Sequence, residues 1–246
     1  MRYLILSDLH ANKEALEAVA SAAEGRYARA LCCGDLVGYG ADPNPVVDWV
    51  RANCAALVRG NHDKACTGTD DMEWFNPVAR NAALWTRQEL TPGNRAYVQG
   101  LNKGPLVLDG FELAHGSPSD EDEYVFAPAE AAGAFAYLEC RVGFFGHTHV
   151  QGGYIWNCAR VESIPRMSPR AERSVIEIDP DCAYLINPGS VGQPRDGDPR
   201  AAFLIYDSDA RMAAYWRVPY DVEGAQRRIR NAGLPPILAD RLCVGR

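Results

Sequence analysis

The chain lacks the features that would direct it to a membrane, a polyanion or an oxidising compartment. Its longest apolar runs, such as Leu4–Leu6 and Val142–Phe145, fall far short of the roughly 20 residues a membrane helix needs. No long apolar region with a small-residue cleavage site follows Met1, so no signal peptide is expected and a cytoplasmic location is. Positive charge is in deficit: 25 Lys and Arg against 32 Asp and Glu leave a net charge of -7. Such a surface repels duplex DNA or RNA, although a local cationic site could still hold a small phosphate ester. The 8 cysteines show neither a CxxC pair nor a secreted disulfide spacing, so they are read as free thiols, with Cys32, Cys33 and Cys54 in packing roles. No Ser/Gly/Pro linker or internal repeat divides the 246 residues, which predicts a single domain over 1–246.

The first sixty residues alternate strand and helix signals. Strand formers at Tyr3–Leu6 precede Asn12–Glu24, where Ala15, Leu16, Val19 and Ala20 recur at helical spacing. Ala30–Cys33 and Ala55–Val58 repeat the strand signal around a helix over Pro43–Ala52. Successive units of this kind imply parallel strands, whose ligands gather at the carboxyl ends. Asn76–Lys103 reads as helical with a break at Thr91-Pro92-Gly93, a helical insertion over about 70–104. Its aromatics Trp74, Phe75, Trp85 and Tyr97 are assigned to the insertion's core, with one or two lining a substrate cleft. Leu106–Leu108 and Phe111–Ala114 flank Asp109-Gly110, a type I′ hairpin signal. A helix over Ala129–Leu138 precedes mainly strands and a last helix over Val222–Ala232, and Arg160–Arg173 reads as a loop. A parallel repeat followed by an antiparallel meander predicts two mixed sheets face to face with helices outside.

Histidine is scarce, and its placement is the most informative feature. All 5 His lie in short glycine-rich turns that follow strand signals: Asp8-Leu9-His10, Gly60-Asn61-His62-Asp63, His115-Gly116 and Gly146-His147-Thr148-His149, with Gly34-Asp35 supplying a further carboxylate. If the strands lie side by side, these turns converge. Imidazole and oxygen donors without thiolates favour manganese, iron, nickel or zinc. The set exceeds what one tetrahedral ion needs, so two ions sharing a carboxylate are expected. Such a pair can hold a bridging hydroxide and clamp both oxygens of an in-line displacement at phosphorus, which is phosphoester hydrolysis.

The ordered blocks D-x-H, G-D, G-N-H-D, H-G and G-H-T-H resemble the calcineurin-like metallophosphoesterase superfamily. Ser7–Asn12, Gly34–Gly40 and Asn187–Gly192 are further similar to its small bacterial YfcE-type phosphodiesterase branch. The resemblance implies a four-layer α/β/β/α sandwich. It implies Asp8, His10, Asp35 and His149 as ligands of a first metal, Asp35 as the bridge, and Asn61, His115 and His147 as completing the second. His62 would be no ligand but the proton donor to the leaving oxygen. The cofactors would be two divalent transition-metal ions, manganese first, and the substrate a small phosphoester or nucleotide. A phosphodiesterase is the leading expectation. A phosphomonoesterase, whether small protein phosphatase or nucleotide hydrolase, is the alternative, and a non-catalytic metal-binding interaction module comes behind both. For substrate contact the candidates are Arg195, whose rival reading is a surface pair with Asp196 or Asp198, and Asn12, whose rival reading is a helix cap. Asp63 is read as a turn residue or a histidine's partner, outside the catalytic set. A homo-oligomer is left open.

Overall fold

Strand β1 (Arg2–Leu6) fixes the layer order, because successive side chains of a strand point to opposite faces and here both faces are apolar. Leu4 and Leu6 join a core beneath helices, whereas Tyr3 and Ile5 join a second core between sheets. The computed structural model describes residues 1–246. Helix α1 (Lys13–Ala23) begins at Asn12, whose side chain accepts from the Ala15 N–H. It is followed by β2 (Arg29–Cys32), α2 (Pro43–Asn53) and β3 (Cys54–Leu57). The three strands run parallel, as the alternating pattern predicts. A short helix the sequence reading does not separate out, α3 (Asn61–Thr67), starts on the Asn61-His62 pair itself. The insertion consists of α4 (Pro77–Glu89) and α5 (Pro92–Gln99), with Asn76 and Thr91 as N-caps, and both pack against α3.

The hairpin of β4 (Leu106–Val107) and β5 (Glu112–Leu113) closes around Asp109-Gly110. Of that pair only Gly110 has a left-handed φ, +86°, so the expected type I′ turn, which needs both, is not formed. Then come α6 (Pro128–Phe135), β6 (Val142–Phe144), β7 (Gly152–Trp156), β8 (Val161–Ser163), β9 (Arg173–Glu177), β10 (Ala183–Asn187), β11 (Ala201–Asp207) and β12 (Met212–Val218). Helices α7 (Val222–Asn231) and α8 (Pro236–Asp240) end the chain with a 3-10 turn, Arg241–Val244. Two expectations fail here. β8 lies inside the supposed loop Arg160–Arg173 and pairs with β7, Tyr154 opposite Ser163. The late strands form no single meander, because β9 joins the first sheet, β10 the second, and β11 and β12 the first again.

The sheets are six-stranded, in the orders β3-β2-β1-β11-β12-β9 and β4-β5-β6-β10-β7-β8. Ile5, Leu31, Phe111, Phe144, Ile186 and Leu204 fill the space between them. Outside the first sheet lie α1 and α2, through Leu16, Val19, Val46 and Val50; outside the second lies α6, through Ala131, Ala134 and Phe135. The result is the α/β/β/α sandwich, with the carboxyl ends of β1, β2, β3, β6 and β10 opening on one edge.

Candidate metal centre

Five turns meet at that edge and bring seven of the candidate side chains together. Asp8, His10, Asp35 and His149 place one ligand atom each within 4.8 Å of one another, and Asp35, His115 and His147 do the same. Asp35 is common to both groups. Nε2 of His10 is 3.1 Å from Nε2 of His149 and 3.5 Å from Oδ2 of Asp35, while His149 Nε2 lies 3.4 Å from Oδ1 of Asp8. On the other side His115 Nε2 is 3.4 Å from Asp35 Oδ2 and 3.2 Å from Oδ1 of Asn61.

Each imidazole is oriented by the nitrogen facing away from the cluster. The Nδ1–H groups of His10, His115 and His149 donate to the carbonyls of Val37 (3.1 Å), Cys33 (2.8 Å) and Gln193 (2.6 Å). His147 is turned round, with Nε2–H toward the Asp122 carbonyl at 3.2 Å and Nδ1 left to ligate. A backbone carbonyl on the outer nitrogen turns the inner one toward the cluster, where a metal ligand offers its lone pair. Oδ2 of Asp8 and Oδ2 of Asp35 are buried and receive no hydrogen bond. Buried carboxylate oxygens without donors are costly unless a cation satisfies them, so the donor set and its two orphaned oxygens fit a pair of divalent ions.

The comparisons agree with this geometry. Residues 1–211 match the model of the calcineurin-like phosphoesterase superfamily domain. The chain belongs to the calcineurin-like phosphoesterase superfamily. An uncharacterised protein of Methanocaldococcus jannaschii is 34% identical over 252 residues, covering 98% of this chain and 97% of its own length. The crystal structure of a metallophosphoesterase from Sphaerobacter thermophilus superposes with a TM-score of 0.88 at 38% identity, over 100% of this chain and 99% of that one. A hypothetical protein from Pyrococcus horikoshii shares the fold alone, with a TM-score of 0.80 at 17% identity over 100% and 98% of the two chains.

In this metallophosphoesterase the turns are strained and braced. Asp8, His10, Asp35, His147 and His149 all have left-handed φ, between +47° and +64°, a conformation that costs a non-glycine residue about 1 kcal/mol or more. Asp63 holds two of the turns: its carboxylate accepts from the N–H groups of Asp35 (3.0 Å), Leu36 (2.9 Å), Val37 (3.4 Å) and Gly60 (2.9 Å). Asn187 holds a third, donating to Gly146 O (2.9 Å) and Thr148 Oγ1 (3.0 Å), and Ser190 Oγ donates to Asp8 O at 2.8 Å. The Asn187–Gly192 loop is therefore a brace. Gly146 is obligatory, since a Cβ there would strike Ser7 Oγ and Asp8 Oδ2.

Electrostatics sort the histidines. Burial pushes His147 down to about 3 and His62 to about 4, and it holds His10 and His149 well below the ordinary imidazole value, so these rings are neutral and available as ligands or acceptors. His115 is opposite: burial would lower it, but the Asp35 and Asp8 carboxylates outweigh burial and lift it to about 10.

His62 stands beside the two groups rather than in either. Its ring packs on Tyr39 (4.3 Å), Phe75 (4.8 Å) and His10 (4.9 Å), and its Nδ1 is buried without a partner. A cleft of about 270 Å³ runs from Asn61, His62 and His147 to Trp74, Phe75 and Tyr124. Of the insertion's aromatics, Phe75 and Tyr97 also pack on the helix-side core and Trp85 on the small core that α4 shares with the C-terminal helices, while Trp74 is 95% exposed. Arg195 is free of both rival partners, because Asp196 pairs with Arg217 and Asp198 with Arg200. Asn12 is not free for substrate: its oxygen caps α1 and its amide donates to Gly192 O at 2.8 Å. Sequence reasoning passed over Tyr39, Lys64, Tyr124 and Arg241. Asp63 carried the one usable signal, a carboxylate three residues after Gly60, the spacing that lets a side chain reach back to a helix start.

Proposed function

We propose that this chain is a phosphodiesterase acting on small phosphoesters, nucleotides included, with two divalent transition-metal ions as cofactors. The observation that carries the reading is the sharing of Asp35 between two buried ligand groups. Bound there, the ions, manganese first and iron, nickel or zinc as alternatives, supply a hydroxide at neutral pH and charge neutralisation at phosphorus. The protein supplies the rest. Asn61 contributes a neutral amide oxygen beside His115, which limits negative charge facing the phosphoryl group. His62 is held by its own backbone N–H on Asp35 Oδ1 at 2.9 Å and by the Tyr39 and Phe75 rings. Burial keeps its imidazole neutral by itself, and an anionic phosphoryl group alongside favours the charged form again. His62 then gives that proton to the leaving oxygen. The aromatic cleft toward Trp74 and Tyr124 suits one organic substituent of a diester.

Hydrolysis of bis(p-nitrophenyl) phosphate and of p-nitrophenyl phosphate, by protein stripped with a chelator and titrated with Mn²⁺, tests the reading. Activity that returns after about two ions per chain and favours the diester is expected from a two-metal site. Turnover of the monoester alone would make the protein a phosphomonoesterase. No turnover of either, with both ions bound, would refute hydrolysis of simple aryl esters and favour a binding role.

A further inference from the structure

Two guanidinium groups beside the metal centre have no carboxylate. Arg195 Nη2 donates to the Tyr39 hydroxyl (3.3 Å) and to Gln193 Oε1 (3.2 Å). Arg241, from the C-terminal 3-10 turn, brings its Nη1 to the same Gln193 oxygen at 3.3 Å. The nearby acids are taken: Asp196 by Arg217, Asp198 by Arg200 and Asp240 by Arg230. Nε of Arg195 and Nε of Arg241 are both buried and unpartnered. Burial and the Arg195 charge together push the Arg241 guanidinium below its ordinary value.

The place is built, not accidental. Gln193 is 2% exposed, its N–H donates to Ser190 Oγ at 2.7 Å, and its carbonyl receives His149 Nδ1–H at 2.6 Å. The Arg195 N–H donates to His149 O at 3.1 Å, and the Tyr39 ring lies 4.7 Å from that of His10. Two like charges converging on one neutral oxygen repel each other, and paired planar guanidiniums with unused donors are suited to a phosphate-type oxyanion. We infer that Arg195 and Arg241, with the Tyr39 hydroxyl, form an anion subsite that binds a second phosphate group of the substrate, beyond the phosphoryl group that is hydrolysed. The inference rests on the phosphodiesterase reading for its substrate and on the arginine geometry for its ligand.

The test compares two esters on the metal-loaded protein: thymidine 5′-(p-nitrophenyl phosphate) and the same ester carrying a further 3′-phosphate. The added phosphate is expected to raise kcat/KM about tenfold in the wild type, and Arg241→Gln to remove most of that ratio, while Arg230→Gln keeps it. Gln193→Glu sets a carboxylate between the guanidiniums. It is expected to raise Tm and abolish the ratio, and it carries the test if Arg241→Gln does not fold. No advantage for the 3′-phosphate in the wild type, or an advantage kept in Arg241→Gln, overturns the inference. Sulfate separates this failure from that of the enzymatic reading. Against chloride at matched ionic strength it should raise the Tm of the wild type and not of Arg241→Gln, whether or not either ester is cleaved; an equal rise in both overturns the subsite. Sulfate protection without a substrate advantage would assign the site to a free anion and overturn the substrate claim.

Discussion

Lys64→Met removes one charge from a buried network that holds a wall of the metal centre. Lys64 Nζ is 2.6 and 2.8 Å from the two Asp122 carboxylate oxygens and 3.1 Å from Glu121 Oε1. For Glu121, whose side chain is 6% exposed, the lost bond to a charged partner costs about 1.5–3 kcal/mol. Asp122 is 48% exposed, so its share is discounted to the surface range of about 0.2–1 kcal/mol. Glu121 is not orphaned, because Arg59 keeps its two hydrogen bonds at 2.9 and 3.0 Å. The expected loss is therefore about 2–4 kcal/mol, read by urea unfolding. The segment so held carries the Asp122 carbonyl that orients His147 and the Tyr124 ring stacked on it at 3.8 Å. Losing the support of a ligand histidine weakens metal affinity about 10–100-fold, so calorimetric titration should show one of two binding steps weakened and the other unchanged. Lys64→Arg should restore most of both quantities. A stability loss under about 0.5 kcal/mol, no more than an exposed ion pair contributes, or equal weakening of both steps, would refute the argument.

The same network has a defined pH window. Burial alone would raise Glu121, but hydrogen bonds from Arg59 and Lys64 outweigh it and hold the carboxyl below its ordinary value. A depressed carboxyl contributes stability above its unfolded pKa, about 4.3, and loses it as pH falls through the lower folded value. Burial works against the Lys64 ammonium too, yet Asp122 and Glu121 raise it, so its contribution is present below about 10.4 and lost as pH rises beyond that. The difference between wild type and Lys64→Met should thus be flat from about pH 5 to 10 and collapse in acid.

Three further outcomes follow from the site. His62→Ala should lower kcat about 10²–10⁴-fold, the usual weight of a positioned general acid, with metal stoichiometry unchanged; full turnover would remove His62 from the mechanism. Asn187→Leu deletes its bonds to Gly146 O, Thr148 Oγ1 and the Gly189 N–H, and should cost about 2–4 kcal/mol together with metal binding, as read by denaturation and titration. Metal uptake must displace the proton that Asp35 and Asp8 hold on His115. Titration in buffers of different ionisation heat should therefore show about one proton released per chain near pH 7, with affinity rising as pH rises; pH-independent affinity would contradict the assignment.

How much of this centre is legible in the sequence depends on what each residue must satisfy. A metal ligand has to be His, Asp or Asn, and it has to stand in a turn at the carboxyl end of a strand. The four His of the two ligand groups occur in such turns, with His62 next to Asn61 in one of them, and the strands β1 to β3 that carry the first blocks can be read from local periodicity. The later architecture is less legible because it is set by long-range pairing. Nothing local shows that β10 inserts between β6 and β7 while β9, β11 and β12 leave for the other sheet, and it is this exchange that brings Gln193 and Arg195 against His149. Tyr39, Tyr124, Lys64 and Arg241 come from four separate segments, and each has an ordinary role when taken alone. Arg195 and Asn12 show the same limit from opposite sides. The acids next to Arg195 in sequence turn out to be claimed by Arg200 and Arg217, and Asn12, adjacent to the ligands in sequence, spends both its polar groups on structure.

The strain in the ligand turns explains why the metal blocks form a pattern while the substrate-facing residues do not. Five residues of the two candidate ligand groups sit at left-handed φ, and each such turn persists only where its surroundings over-determine it. The bracing acceptors and donors come from other short blocks: Asp63, next to His62, holds the Asp35 turn, and Asn187 and Ser190 lie in one loop that ties Gly146, Thr148 and Asp8. Glycine at position 60 is forced by the same crowding, since a Cβ there would collide with Asp35 Oδ1. A strained turn thus requires a ligand, a brace and a glycine together, and each of these stands at a fixed place in one of the short blocks. An anion subsite or an aromatic cleft wall needs only a side chain of suitable chemistry within reach, from whichever loop the fold delivers, so it leaves no spacing to read.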